Sequence, residues 1–149
     1  MKIRDLIVKL RHIGIIVDNI DAALRLYKKI YDVEDADIRL VPPKEEPAPD
    51  TRFAFIPLGN TELELIEPIS NHFRNFIGNP ALGINHIAFT VTDLDRAVAL
   101  MQEKGVRLGH VTRDGILDMQ RSRVAYFNPE DTGGILVEFV QPSDNAEHF

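Results

Sequence analysis

HIGIIVDNIDAALRLYKK (residues 12–29) and HIAFTVTDLDRAVALMQEK (residues 86–104) are two versions of one segment. The shift that carries His12 onto His86 is 74 positions, and with no gap it also pairs Ile13 with Ile87, Val17 with Val91, Asp21 with Asp95, Ala23 with Ala97, Gly59 with Gly133, Glu64 with Glu138 and Pro68 with Pro142. Identities scattered under one fixed shift mark an internal duplication. The 149 residues suit a single domain and exclude two large ones. The expected organisation is one domain, residues 1–149, made of two repeats at about 7–68 and 84–142, with a connector over 69–83 that carries SNHFRNFIGNPALG.

Each repeat opens on a run rich in β-branched and aromatic residues, IGIIV after His12 and IAFTV after His86, which predicts a buried strand. A helix follows in both. In the first, Asp18 or Asn19 is placed to cap it, and Ile20, Ala23, Leu24 and Tyr27 recur at helical spacing. In the second, Thr92 or Asp93 caps, Leu94, Ala97, Val98 and Met101 form the apolar stripe, and Gly105 stands where a terminating glycine belongs. RFAFIPLGNTELELIEP (52–68) then shows a Gly-Asn turn between two strand-like runs, and RVAYFNPEDTGGILVEFVQP (123–142) an equivalent hairpin through Asp131, Thr132, Gly133 and Gly134. The repeat reads strand, helix, three strands, so the fold class is α+β.

Strand side chains alternate between faces. His12 and Gly14 therefore share a face opposite the apolar Ile13, Ile15 and Val17, and His86, Ala88 and Thr90 share one opposite Ile87, Phe89 and Val91. The all-apolar face is the seat for the helix. Each histidine then lies on the other, concave side, beside a glycine or alanine that leaves room. Glu64 and Glu138 interrupt otherwise apolar strands, and each follows its histidine by the same 52 residues. A buried carboxylate costs several kcal/mol unless paired, hydrogen-bonded or metal-bound. If the repeats pair about a pseudo-twofold axis, His12, Glu64, His86 and Glu138 converge as two nitrogens and two oxygens around one divalent ion, a set that suits Zn, Mn, Fe, Co or Ni and leaves positions for water or substrate. Glu62 and Glu67 have no carboxylate counterpart in the second repeat, which points to surface roles, although Glu62 shares the concave face. His72, His110 and His148 have no repeat partner and are expected to be exposed.

Composition narrows the rest. The chain has 17 Lys+Arg against 23 Asp+Glu, a formal charge of −6, and no run of about five or more basic residues, so nucleic acid is not an expected partner. Hydrophobic residues at 44% and charged residues at 27% are globular values that permit a real core. With no cysteine there is no disulfide, thiolate metal site or cysteine nucleophile, which leaves His, Asp and Glu to carry the chemistry. Arg4, Asp5, Lys9 and Arg11 break the N-terminal run MKIRDLIVKLRHIGIIV, so no signal peptide or membrane span is expected, and a soluble, cytoplasmic location is.

HIGIIV and HIAFTV, together with LGNTELELIEP (58–68) and PEDTGGILVEFVQP (129–142), resemble the vicinal oxygen chelate (glyoxalase/bleomycin resistance/dioxygenase) superfamily, and within it most of all the methylmalonyl-CoA epimerases, with glyoxalase I next. The resemblance runs from His12 to Pro142. It implies two tandem βαβββ modules forming a curved, open mixed β-sheet barrel around a metal site, with the helices outside. It also implies His12, Glu64, His86 and Glu138 as ligands of one divalent ion (Co, Mn, Zn or Ni), a small-molecule substrate of the acyl-CoA thioester class, and an epimerase or isomerase working by α-proton abstraction. Homodimers are common in the superfamily. In the epimerase pattern the acid and base are a non-ligand glutamate in the loop before RFAFIPLG, here VPPKEEPAPD (41–50), and the last ligand glutamate. That gives Glu46 and Glu138 as catalytic residues, with Glu45 and Asp50 as alternates to Glu46. A glyoxalase-type lactoylglutathione lyase and a metal-free small-molecule binding protein are the alternatives. Two departures mark this chain: four prolines, Pro42, Pro43, Pro47 and Pro49, stiffen the loop, and GILDMQRSR (115–123) puts the bulky Met119, Gln120 and Arg121 where the epimerase pattern is richer in glycine. The polar tail SDNAEHF (143–149) is expected to be loosely held.

Overall fold

A computed structural model describes residues 1–143; His148 and residues 144–149 of the tail lie outside the described residues. In chain order the elements are α1 (Ile3–Leu6), β1 (Ile7–Ile16), α2 (Ile20–Tyr31), β2 (Arg39–Val41), β3 (Thr51–Leu58), β4 (Thr61–Pro68), α3 (Asn71–Phe76), β5 (Gly83–Val91), α4 (Leu94–Glu103), β6 (Leu117–Asp118), β7 (Ser122–Tyr126) and β8 (Val137–Pro142). The strand, helix, three-strand order occurs twice, and the fold is α+β with mixed sheet pairing. Two compact units divide the chain: His12–Asn85, and Met1–Arg11 together with the chain from His86 onward. Among the described residues no helix is long and apolar enough to cross a membrane.

Within His12–Asn85 the strand order is β2-β3-β4-β1, with β1 parallel to β4 and the other neighbours antiparallel. Gly14 lies opposite Glu64 and His12 opposite Glu62 in the parallel register. Ile20 and Leu24 of α2 pack on Ala54, Ile56 and Leu65, with Ile15 and Val17 against them, so the apolar face of β1 does seat the helix. Gly59 links β3 to β4 at φ +63°, a left-handed conformation that glycine takes without strain.

The other unit repeats the plan with order β5-β8-β7-β6, β5 parallel to β8 and the antiparallel pairs following. Ala88 lies opposite Glu138, the repeat of Gly14 opposite Glu64. Leu94, Ala97, Val98 and Leu100 of α4 pack on Val91, Ala125, Phe127 and Phe139. Leu6 joins this core, and Thr92 N donates to Leu6 O at 2.9 Å, so α1 belongs to the second repeat's core. The hairpin expected through Asp131 to Gly134 is wider than a tight turn: a 3₁₀ turn at Pro129–Asp131 and left-handed Gly133 and Gly134 fill the connection from β7 to β8. The connector is not bare loop either, since Ser70 caps the short α3 by accepting from Phe73 N at 3.0 Å.

Asn19 caps α2 by accepting from Ala22 N at 2.9 Å, and Asp93 caps α4 by accepting from Arg96 N at 3.0 Å. A second bond at each helix start corrects the surface role expected for Glu67. Ile20 N donates to Glu67 Oε1 at 2.7 Å, and Leu94 N donates to Gln141 Oε1 at the same 2.7 Å. Both bonds span 47 residues and tie the helix to the strand that carries the repeat's glutamate. The repeat counterpart of Glu67 is an amide because only an acceptor oxygen is required, and Glu and Gln both supply one.

Glu67→Ala and Gln141→Ala should each lower stability by about 1–2 kcal/mol, the usual cost of losing a helix-start acceptor, while Glu67→Gln should stay within about 0.5 kcal/mol of wild type. Urea midpoints check this; alanine variants indistinguishable from wild type would contradict the tether.

Candidate metal centre

In the His12–Asn85 unit, β1 presents His12 and β4 presents Glu64 on the face away from α2. His12 Nε2 stands 3.5 Å from Glu64 Oε1, with both side chains largely buried. The floor is aromatic. Phe55, opposite Glu64 in the β3–β4 register, meets the His12 ring edge-on at 6.3 Å between centroids. Phe53 stacks beside Phe55 and meets Phe73 of α3, while the Arg39 guanidinium lies 4.1 Å over the Phe55 ring. Glu62 is half-buried, opposite His12, and by alternation shares this face.

The other unit builds the same pair from β5 and β8. His86 Nε2 stands 3.3 Å from Glu138 Oε1, and the side chains are only 2% and 7% exposed. Tyr126, opposite Glu138 in the β7–β8 register, meets the His86 ring edge-on at 5.6 Å. Ala88, Val124 and Val140 form a small buried cluster with Tyr126. Thr90, buried on this face, accepts from Arg11 Nη1 at 3.4 Å.

His110 departs from the exposed position expected for it. It is half-buried, and its ring stacks edge-on against Tyr126 at 5.0 Å. Burial, and then the neighbouring His86, hold its imidazole below the ordinary value, with Glu138 opposing. No repeat partner marks it, so only the fold reveals its place. His72, by contrast, is exposed as expected.

These pairs fit a divalent ion. Two ligands at about 2.0–2.2 Å from one ion lie about 3–3.5 Å from each other, the separation seen within each pair, whereas a good N–H···O bond closes to about 2.9 Å. Imidazole and carboxylate are also the donor types that Zn, Mn, Co and Ni accept.

Glu46 sits in the exposed proline-rich loop with Glu45 and Asp50. Arg52 of β3 gathers that loop: its guanidinium donates to the carbonyls of Pro42 at 3.3 Å, Pro43 at 3.2 Å and Glu46. Glu46 N closes the turn by donating to Pro43 O at 3.0 Å. GILDMQRSR is ordered as well, forming a hairpin between β6 and β7 that leaves Met119 exposed at its tip. Arg123 fixes that hairpin by bonding Asp118 at 2.9 Å and, through both terminal nitrogens, Asp95 at 2.7 and 3.0 Å.

The duplicated strand-helix-strand unit, with a histidine at the start of one strand and a glutamate on its parallel neighbour, also agrees with known families. The model of the glyoxalase/bleomycin resistance protein/dioxygenase superfamily matches residues 11–127, and the chain belongs to that superfamily. The ethylmalonyl-CoA/methylmalonyl-CoA epimerase of Cereibacter sphaeroides is 31% identical over 137 residues, covering 89% of this chain and 97% of that one. Among solved structures, the methylmalonyl-CoA epimerase of Mycobacterium tuberculosis superposes with a TM-score of 0.71 at 26% identity, covering 97% of this chain and 94% of the other. A variant of the Streptomyces coelicolor methylmalonyl-CoA epimerase in complex with 2-nitronate-propionyl-CoA gives 0.70 at 26% identity, covering 93% and 96%.

The depressed His110 value sets a pH dependence. Between the ordinary 6.5 and its lower folded value the unfolded chain holds more proton, so stability is complete above 6.5 and is lost as pH falls through that window. His110→Asn should flatten the acid limb relative to wild type in urea midpoints taken between about pH 5 and 8; parallel curves would contradict the assignment.

Proposed function

We propose that the protein is a metal-dependent epimerase of an acyl-CoA thioester such as methylmalonyl-CoA, with His12, Glu64, His86 and Glu138 holding one divalent ion. The repeated, buried imidazole–carboxylate pair carries the reading, at 3.5 Å in one unit and 3.3 Å in the other. Relatives named as acyl-CoA epimerases support it, one of them aligned over 89% of this chain. So does the donor chemistry. His12 and His86 each offer an imidazole nitrogen and Glu64 a carboxylate oxygen, and Glu138 adds a second carboxylate that brings the set to the charge of a dication. We read residues 1–149 as one domain of two repeats, about 7–68 and 84–142 with connector 69–83, in which the two pairs serve a single ion.

When bound, that ion supplies positive charge that makes negative charge on the thioester carbonyl oxygen less costly and so acidifies the neighbouring C–H. Glu46 takes the α-proton from one face while the C–H electron pair shifts into the thioester carbonyl. On the opposite face a proton that Glu138 has taken from solvent is delivered to the same carbon, completing the inversion; loss of the Glu46 proton to solvent then restores both carboxylates. Phe55 and Tyr126 keep water from the buried pairs, which strengthens the electrostatics of the site. Arg52 holds the backbone that carries Glu46 in one turn.

Incubation with racemic methylmalonyl-CoA in deuterated water should place deuterium at C2, and a chelator should stop the exchange until cobalt or manganese is restored. Bound metal without exchange, but with activity on a hemithioacetal, would make the protein a glyoxalase-type lyase. Neither metal nor turnover would make it a binding protein.

Glu46→Gln should lower exchange by about 100-fold or more at unchanged metal content, the scale of a lost general base. Unchanged exchange in that variant would pass the role to Glu45 or Asp50, tested by the corresponding amides.

A further inference from the structure

Three contacts lock the turn that carries His110. Gly109 lies so close to β7's exit that a Cβ there would come within 2.7 Å of Asn128 Cα, so no other residue fits without moving backbone. Gly109 N donates to Tyr126 O at 2.9 Å. Thr112, 1% exposed, accepts from Tyr126 N at 2.7 Å and donates within 3.0 Å of Tyr126 O and Gly109 O. His110 itself is held at φ +52°, a conformation costly for a residue with a Cβ. The result of this bracing is one imidazole fixed on the Tyr126 ring, which in turn contacts His86. A wall that only had to pack would be served by an apolar ring without the cost of half-burying polar nitrogens.

The position is also asymmetric. The 74-residue shift that matches the two pairs puts Ala36 where the second repeat has His110 and Ile38 where it has Thr112. Two equivalent pairs cannot by themselves distinguish the ends of an unsymmetrical ligand; a polar group present in one repeat alone can. We propose that His110 contacts the substrate, its imidazole hydrogen-bonding an oxygen of the acyl moiety on the His86–Glu138 side. This rests on the epimerase reading above and adds to it the group that orients the acyl end.

Two variants test the role. His110→Phe keeps a ring against Tyr126 without nitrogen atoms, and His110→Asn keeps a donor in a residue that tolerates positive φ. His110→Phe should lower kcat/KM for deuterium exchange on methylmalonyl-CoA by roughly 10–100-fold, the scale of a lost hydrogen bond to a polar substrate group, with metal content and free coenzyme A affinity unchanged. His110→Asn should recover part of the loss. Wild-type kinetics in His110→Phe, or equal weakening of methylmalonyl-CoA and free coenzyme A with a lowered Tm, would overturn the proposal and leave His110 as packing. Absence of exchange in the wild-type protein would instead sink the epimerase reading, and the His110 role with it, before any variant is compared.

Discussion

A charged or polar pair placed on the buried face of a sheet dictates most of this structure. His12–Glu64 and His86–Glu138 are held at 3.5 and 3.3 Å among aromatic and aliphatic side chains, where an uncompensated carboxylate costs several kcal/mol. The pairs exist because β1 runs parallel to β4, and β5 to β8, in one register each. A slip of one residue would turn the glutamate to the helix face. Gly14 and Ala88 lie directly across from the glutamates in that register, and Ala88 is fully buried.

The same strands that carry the glutamates also set the helices. Glu67 lies three residues beyond Glu64, and Gln141 three beyond Glu138, an odd spacing that turns them to the opposite face. There each accepts the first backbone N–H of its repeat's helix at 2.7 Å. One strand thus fixes the histidine-paired glutamate on one side and the helix start on the other, so the entry of α2 and α4 and the register of the pairs are coupled.

What the chain revealed before folding was what repeats or what has a period. The duplication revealed both pairs, because a histidine-to-glutamate interval of 52 residues that recurs is improbable as accident, and the alternation of apolar residues revealed the helix-bearing face. Asn19, Asp93, Gly59 and Gly105 followed from cap and turn chemistry. The shortfall has physical causes. Glu67 looked superficial because its counterpart is an amide, although an acceptor oxygen was all the position needed. His110 carries no periodic signal; the close approach of Gly109 to Asn128 and the Thr112 bonds that place it join residues distant in sequence. The inclusion of α1 in the second repeat's core depends on Leu6 packing beside Val91 and Leu94, a contact no local pattern announces.

The repeats differ most in their loops: an arginine-pinned proline loop with Glu46 in one, the locked His110 turn and the Arg123 hairpin in the other. The most direct test is diffraction from cobalt-loaded crystals at the cobalt absorption edge. The account predicts one anomalous peak bonded by His12, Glu64, His86 and Glu138 together. Separate peaks at the two pairs, or cobalt held elsewhere with both pairs left as simple ion pairs, would contradict it.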